Sequence, residues 1–129
     1  MAKINQFEDL EVWKDARMIC NVIFKYTNRS PFDKDFALRD QIRRSSGSIM
    51  DNIAEGFERG GRKEFLQYLS IAKASCGEVR SQIYRALDQK YISEPEFELL
   101  YEQLITESKK IAAFMKYLKN SDFKGTKYK

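Results

Sequence analysis

The stretch LRDQIRRSSGSIMDNIAEGF, residues 38–57, decides the fold. Leu38, Ile42, Ser45, Ile49, Ile53, Ala54 and Phe57 recur mainly at steps of three and four, the spacing that lines one face of an α-helix. The middle of the stretch, Ser45-Ser46-Gly47-Ser48, is weak helix material, with Gly47 alone costing about 1 kcal/mol relative to alanine. Either these small residues let the helix cross a neighbour closely, or a loop splits it in two. The segment is entered through Pro31-Phe32-Asp33 and left at Gly60-Gly61, which predicts a helix over about residues 35–59.

Three further segments carry the same periodicity. Val12, Ala16, Ile19, Ile23 and Tyr26, widened by Trp13, Cys20 and Phe24, predict a helix over about residues 9–28, with Asp9 as its N-cap and Asn28 as its stop. Phe65, Leu69, Ala72, Cys76, Val79, Ile83 and Leu87 predict a helix over about residues 63–89, in which Gly77 is expected to mark close packing. Ser93-Glu94-Pro95-Glu96 reads as a capping box opening a helix over about residues 94–119, through Phe97, Leu100, Leu104, Ile105, Ile111, Ala112, Met115 and Leu118. The connecting loops are too short for crossovers. The expected fold is therefore all-α, an antiparallel up-down-up-down four-helix bundle over residues 1–119 with a flexible basic tail at 120–129.

Composition agrees and removes whole classes of chemistry. The chain has 129 residues, one domain's worth, and only 6 Gly and 2 Pro, too few for a many-turned β-sandwich or barrel. It has no histidine. Ser-His-Asp and Cys-His catalysis, imidazole proton shuttles and His-containing zinc or di-iron sites are excluded by that absence. Cys20 and Cys76 sit in apolar helical stripes and read as free thiols in a reducing compartment. The opening Met1-Ala2-Lys3-Ile4-Asn5-Gln6 lacks the apolar run of a signal peptide, and no stretch approaches the ~20 uncharged residues of a membrane span. A cytoplasmic protein without membrane association is the expectation.

Asp51, Glu55 and Glu58 share a helical face, with Glu64 across the turn, but a ferritin-like di-metal site would add Glu-x-x-His. Ion pairs with Arg59, Arg62 and Lys63 account for these acids better than a magnesium site does, and no metal or cofactor is expected. Gly60-Gly61 has neither the spacing of a phosphate-binding loop nor a preceding strand.

Basic residues carry the remaining signal. The formal net charge is +4, yet residues 109–129 hold seven lysines against Asp122. That end is therefore +6 and residues 1–108 are −2. In an antiparallel bundle the end of the fourth helix lies beside the turn between the second and third, so Lys116 and Lys119 should share a pole with Arg59, Arg62 and Lys63. Arg39, Arg43 and Arg44 decorate the first half of the second helix. Guanidinium and ammonium groups suit phosphate oxygens, and such contacts give salt-dependent, sequence-tolerant binding. The competing reading pairs them with Asp35, Asp40, Glu55, Glu58 and Glu64, and for Arg39 it is the better one. Most of the 9 Phe and 7 Tyr fall on core stripes. Tyr117, Phe123 and Tyr128 are the aromatics interleaved with lysines, as base-stacking residues would be.

The blocks Asp9-Leu10-Glu11-Val12-Trp13-Lys14-Asp15-Ala16, Gln41-Ile42-Arg43-Arg44-Ser45, Ser48-Ile49 and Asn52-Ile53-Ala54-Glu55-Gly56 occur in order, followed by Arg59, Glu64-Phe65, Leu69 and Ile71-Ala72. This pattern resembles the four-helix-bundle proteins encoded in intervening sequences of bacterial 23S ribosomal RNA genes, a family akin to the accessory protein of diversity-generating retroelements. Gly47 and Met50 depart from it, standing where a small apolar residue and a proline are usual. The resemblance implies the bundle, a cyclic homo-oligomer with a pentamer favoured, nucleic-acid association in the retroelement branch, and no catalytic residues. Arg43, Arg44, Asn52, Glu55, Gly56 and Arg59 match its motif blocks. Asn52 and Glu55 in mid-helix are costly unless they make specific hydrogen bonds, so an inter-helix or inter-subunit polar contact is expected there. The leading expectation is a non-enzymatic oligomer binding RNA or DNA through Arg43, Arg44, Arg59, Arg62, Lys63, Lys116 and Lys119. The alternative is a scaffold that docks an enzyme such as a reverse transcriptase.

Overall fold

The computed structural model describes residues 4–121. Four long helices make the fold: α1 (Glu11–Thr27), α2 (Phe36–Glu58), α3 (Arg62–Asp88) and α4 (Glu94–Lys119). Short 3₁₀ turns at Phe7–Asp9 and Phe32–Lys34 precede the first two, and the described residues contain no strand. Residues 122–129, most of the expected tail, lie outside the described residues.

Each helix starts and stops for a local reason. The predicted N-cap at Asp9 is not what opens α1: Asp9 closes a 3₁₀ turn, accepting from the Asn5 amide at 3.3 Å, and the buried Leu10 takes the N-cap position with no side-chain cap. Asp35 caps α2 by accepting from the Leu38 amide at 3.2 Å. Gly60 breaks the chain out of α2 at a φ of 83°, a left-handed conformation that glycine adopts without steric cost. At the end of α3 the Tyr91 amide donates to the Ala86 carbonyl and the Lys90 amide to the Leu87 carbonyl, the two bonds of a Schellman motif. Lys90 takes the left-handed position there with a φ of 62°, and Tyr91 stacks on Phe32 at 4.8 Å. Ser93 and Glu96 form the capping box of α4, with both reciprocal bonds made.

Contacts run in reversed order along neighbouring helices. Thr27 and Cys20 of α1 bond to Arg43 and Ser46 of α2, while Gln41, Ser45, Ser48 and Glu55 of α2 bond to Arg85, Gln82, Ser75 and Tyr68 of α3. Tyr84 meets Phe97 and Tyr101 near the start of α4, and Phe65 meets Phe114 near its end. Arg29 pairs with Glu96 at one end of the α1–α4 seam, and Lys110 pairs with Glu11 and Asp15 toward the other. This is the pattern of antiparallel neighbours closed into a bundle. Inside lies a core that includes Ile19, Ile42, Ile53, Phe57, Phe65, Leu69, Ile83, Leu104 and Ile111, all buried.

The weak stretch Ser45–Ser48 does not split α2, because Ser45 and Ser46 are buried and donate to the carbonyls of Gln41 and Arg43 within the helix. Gly47, however, is not the point of close approach, since a Cβ there would meet no atom within 4 Å. Gly77 is equally open, with its nearest neighbour at 4.0 Å. The close approach is made at Gly56, where a Cβ would lie 2.7 Å from the Tyr68 Cβ and 3.0 Å from Phe65 Cδ1. Both thiols are free, and burial pushes Cys20 up to about 11 and Cys76 up to about 12, so neither is a nucleophile near neutrality.

One charged residue occupies a core position. Glu107 is only 1% exposed, and neither carboxylate oxygen has a hydrogen-bond partner among the described residues. Burial, reinforced by Asp15 and Glu11 of α1 and opposed by Lys110, raises its pKa to about 8, and Cys76 of α3 also senses its charge. Glu96 is the opposite case: Arg29 and the backbone bond of the capping box hold it near 2.

Two predictions come from this packing. Gly56→Ala should destabilise the bundle by about 1–3 kcal/mol in urea denaturation through overpacking, whereas Gly47→Ala should stabilise it by about 0.5–1 kcal/mol because the site is open. The pH profile of stability should have two flanks. The raised pKa of Glu107 makes stability fall as pH rises from the unfolded carboxyl value of about 4.5 to about 8. The depressed pKa of Glu96 makes stability fall as pH drops from about 4.5 to about 2. Glu107→Gln should flatten the first flank in melting curves taken across pH and leave the second; a wild-type profile flat from pH 5 to 8 would contradict this placement.

Candidate nucleic-acid interface

The pole of the bundle is built by three chain segments. α2 runs out at Arg59, Gly60 turns the chain, and α3 restarts with Arg62 and Lys63 as its first two residues. α4 ends beside them: Arg62 Nη1 donates to the Ser121 carbonyl at 2.7 Å, tying the first turn of α3 to the residues just beyond α4. Asn120 and Ser121, the first residues of the expected tail, are thus held against the bundle, and Ser121 also donates to the Leu118 carbonyl. Arg62, Lys63 and Lys119 share this end of the molecule.

Their chemistry differs. Lys63, Lys116 and Lys119 are exposed and have no ion pair or side-chain hydrogen bond among the described residues. Lys116 and Lys119 sit in the last turn of α4, where cations complement the helix dipole and need no further reason to be present. Arg62 and Lys63 sit at the start of α3, where the dipole disfavours cations by about 0.3–1 kcal/mol each, offset in part by Glu64. Local helix stability does not explain their position.

Arg59 is engaged within the protein. It pairs with Glu55 at 2.9 Å, one turn earlier, and lies over the Tyr68 ring at 5.2 Å. Glu55 also accepts from the Tyr68 hydroxyl at 3.2 Å, and these two partners hold its carboxyl below the usual range. Glu55 therefore reaches across to α3. Asn52 does not: its amide closes on the Ser48 carbonyl and hydroxyl, both at 2.8 Å, within α2 itself. Of the expected inter-helix or inter-subunit contact at Asn52, the chain itself shows only a relay, in which the Ser48 hydroxyl also accepts from Ser75 of α3.

Arg43 and Arg44 do not join the pole. They lie 16 and 15 residues before Arg59, roughly 24 and 22 Å along the helix. Arg43 donates to Thr27 Oγ1 at 2.8 Å and packs over the Phe24 ring at 4.5 Å, while Arg44 is exposed. Arg39 pairs with Asp40 at 2.8 Å and donates to the Asp33 carbonyl. Tyr117 is 45% exposed and stacks against Phe114; Phe123 and Tyr128 lie outside the described residues.

The residue that sequence reading missed is Lys73. It faces Lys116 and Lys119 across a groove of about 430 Å³ between α3 and α4, which Ser70, Ala112, Met115 and Asn120 also line. Ten residues separate Lys73 from Lys63, so no local motif announces it; only the packing of α3 against α4 brings it to this site. Among the described residues no group of three or more acidic or cysteine side chains is arranged to hold a metal, and no helix is long and apolar enough to cross a membrane.

Comparison with known proteins assigns this architecture. The chain has no significant match among curated proteins. A crystal structure of a protein of unknown function from the S23 ribosomal protein family of Bacteroides thetaiotaomicron is similar in fold, with a TM-score of 0.74 and 23% identity, covering 81% of this chain and 98% of that one. The sequence model of the 23S rRNA-intervening sequence protein family matches residues 8–113, spanning all of α1 to α3 and most of α4, and the chain belongs to that family.

Proposed function

We propose that this protein is a non-enzymatic oligomer that binds RNA or DNA through the basic pole. The observation that carries this reading is the Arg62–Ser121 bond, which joins the lysine-rich end of α4 to the cationic start of α3. Lys63 and Lys119 then present ammonium groups from two chain segments at one end, supplemented by Lys116 and by the lysines at 124, 127 and 129. Contacts of this kind are made to phosphate oxygens and carry little sequence preference. A homo-oligomeric ring, a pentamer by family resemblance, would repeat this modest pole around an axis and convert weak single contacts into avidity.

A second reading, a scaffold docking an enzyme such as a reverse transcriptase, draws on the exposure of Phe24 at 55%, Phe36 at 63% and Leu99 at 63%. Apolar side chains this exposed favour protein contact when they are grouped on one surface.

Two measurements test the proposal. In electrophoretic mobility shift with a structured RNA, affinity should fall steeply as salt rises, and the charge-reversed Lys63→Glu/Lys119→Glu variant should lose most of it. Binding absent at low salt, or indifferent to salt, would overturn direct phosphate contact and favour the scaffold. Light scattering at micromolar protein should report a mass several times 15.2 kDa; a strict monomer would remove the ring.

A further inference from the structure

The groove between α3 and α4 gathers cations from two helices, and the helix dipole accounts for Lys116 and Lys119 but not for Lys73, which lies in the middle of α3. Lys73 from α3 and Lys116 and Lys119 from α4 line one concavity of about 430 Å³, and no carboxylate among the described residues lines it with them. None of the three has an ion pair or side-chain hydrogen bond among the described residues. Like charges gathered around a concave surface repel one another, and an anion placed among them reverses the sign of that interaction. The rest of the lining is graded in a useful way. Met115 and Ala112 provide an apolar wall, while the Ser70 hydroxyl and the Asn120 amide offer donors and acceptors. The Met115 thioether is polarisable and makes favourable contacts with aromatic rings.

We propose that this groove seats one nucleotide of a single-stranded nucleic acid, its phosphate on Lys73, Lys116 and Lys119 and its base against Met115 and Ala112. The inference rests on the nucleic-acid reading of the pole and sharpens it to a strand type. The volume suits one unstacked nucleotide, within the range of small-ligand sites. A duplex keeps its bases stacked inside, so it reaches the lysines at the rim and leaves the apolar wall empty. A single strand fills both halves of the groove, as sequence-tolerant single-strand sites combine a cationic track with surfaces for the base. Lys119 belongs to both the groove and the pole, so a strand leaving the groove continues onto Lys63 and Arg62.

Fluorescence anisotropy with a short labelled oligouridylate and a duplex RNA of the same length, each across a salt series, tests the groove on the full chain. Wild type should prefer the single strand. Lys73→Ala should weaken single-strand binding and lower the slope of log affinity against log salt by about 0.7, the value for one lost phosphate contact. Ala112→Glu, at an exposed position, should weaken it further by placing a carboxylate among the lysines. Circular dichroism melts of both variants should match wild type. Undiminished single-strand binding by Lys73→Ala and Ala112→Glu overturns the groove and leaves the pole reading intact. Equal affinity of wild type for duplex and single strand, with both variants losing both equally, overturns the single-strand assignment. No binding of either RNA by wild type at low salt overturns the groove and the pole reading together.

Discussion

The structure depends on how closely α2 and α3 approach. At Gly56 the helices come together so tightly that no Cβ fits between α2 and the Tyr68 backbone end of its side chain. Along the same seam, small or polar residues replace large apolar ones and bond across it: Gln41 to Arg85, Ser45 to Gln82, Ser48 to Ser75 and Glu55 to Tyr68. Hydrogen bonds at fixed positions help set the register of two long helices, because a shift of one turn would leave the buried side chains of Ser75 and Gln82 without these partners. Gln82 shows how close this balance is, since its Nε2 is satisfied by Ser45 while its Oε1 has no partner among the described residues.

With that pair locked, the remaining helices have defined places. α1 lies along α2 through Arg43 on Thr27 and Cys20 on the Ser46 carbonyl. α4 lies along α3 through the rings of Tyr84, Phe97 and Tyr101 and of Phe65 and Phe114. The α1–α4 seam closes the bundle, and it is where the charged groups gather: Arg29 with Glu96, Lys110 with Glu11 and Asp15, and Glu107, buried with no hydrogen-bond partner among the described residues. A seam tied by solvent-facing ion pairs is weaker than one tied by buried packing. The bundle thus has a firm side and a softer side, and the basic groove belongs to the α3–α4 face between them.

Most of the fold was legible from periodicity and caps. Ser93, Pro95 and Glu96 announce the start of α4 because a capping box is a local device whose partners lie three residues apart. Gly60 announces the end of α2 because its left-handed backbone is a local requirement. One misreading arose where the deciding contact is distant in sequence, and another from a local turn. Gly47 and Gly56 look alike as letters, yet only Gly56 meets another helix. Asp9 has the chemistry of an N-cap, but the turn before it is tight enough to hand that position to Leu10. Glu107 did carry a signal: it stands in the stripe of Leu100, Leu104 and Ile111, where the spacing requires a buried residue.

The sequence by itself determined the class of fold, the helices and the chemistry available, because each depends on the spacing of residue types within a few turns and on the absence of histidine. It also located the positive charge in the final stretch of the chain, which is a matter of counting. Only the tertiary structure decided which cations lie together. It laid Arg59 over the Tyr68 ring of α3 and Arg43 on Thr27 of α1, bound Arg62 to the end of α4, and brought Lys73 opposite Lys116 and Lys119. Those pairings span 16 to 59 residues or join separate helices, and such distances are closed by packing free energy rather than by any preference of the local chain.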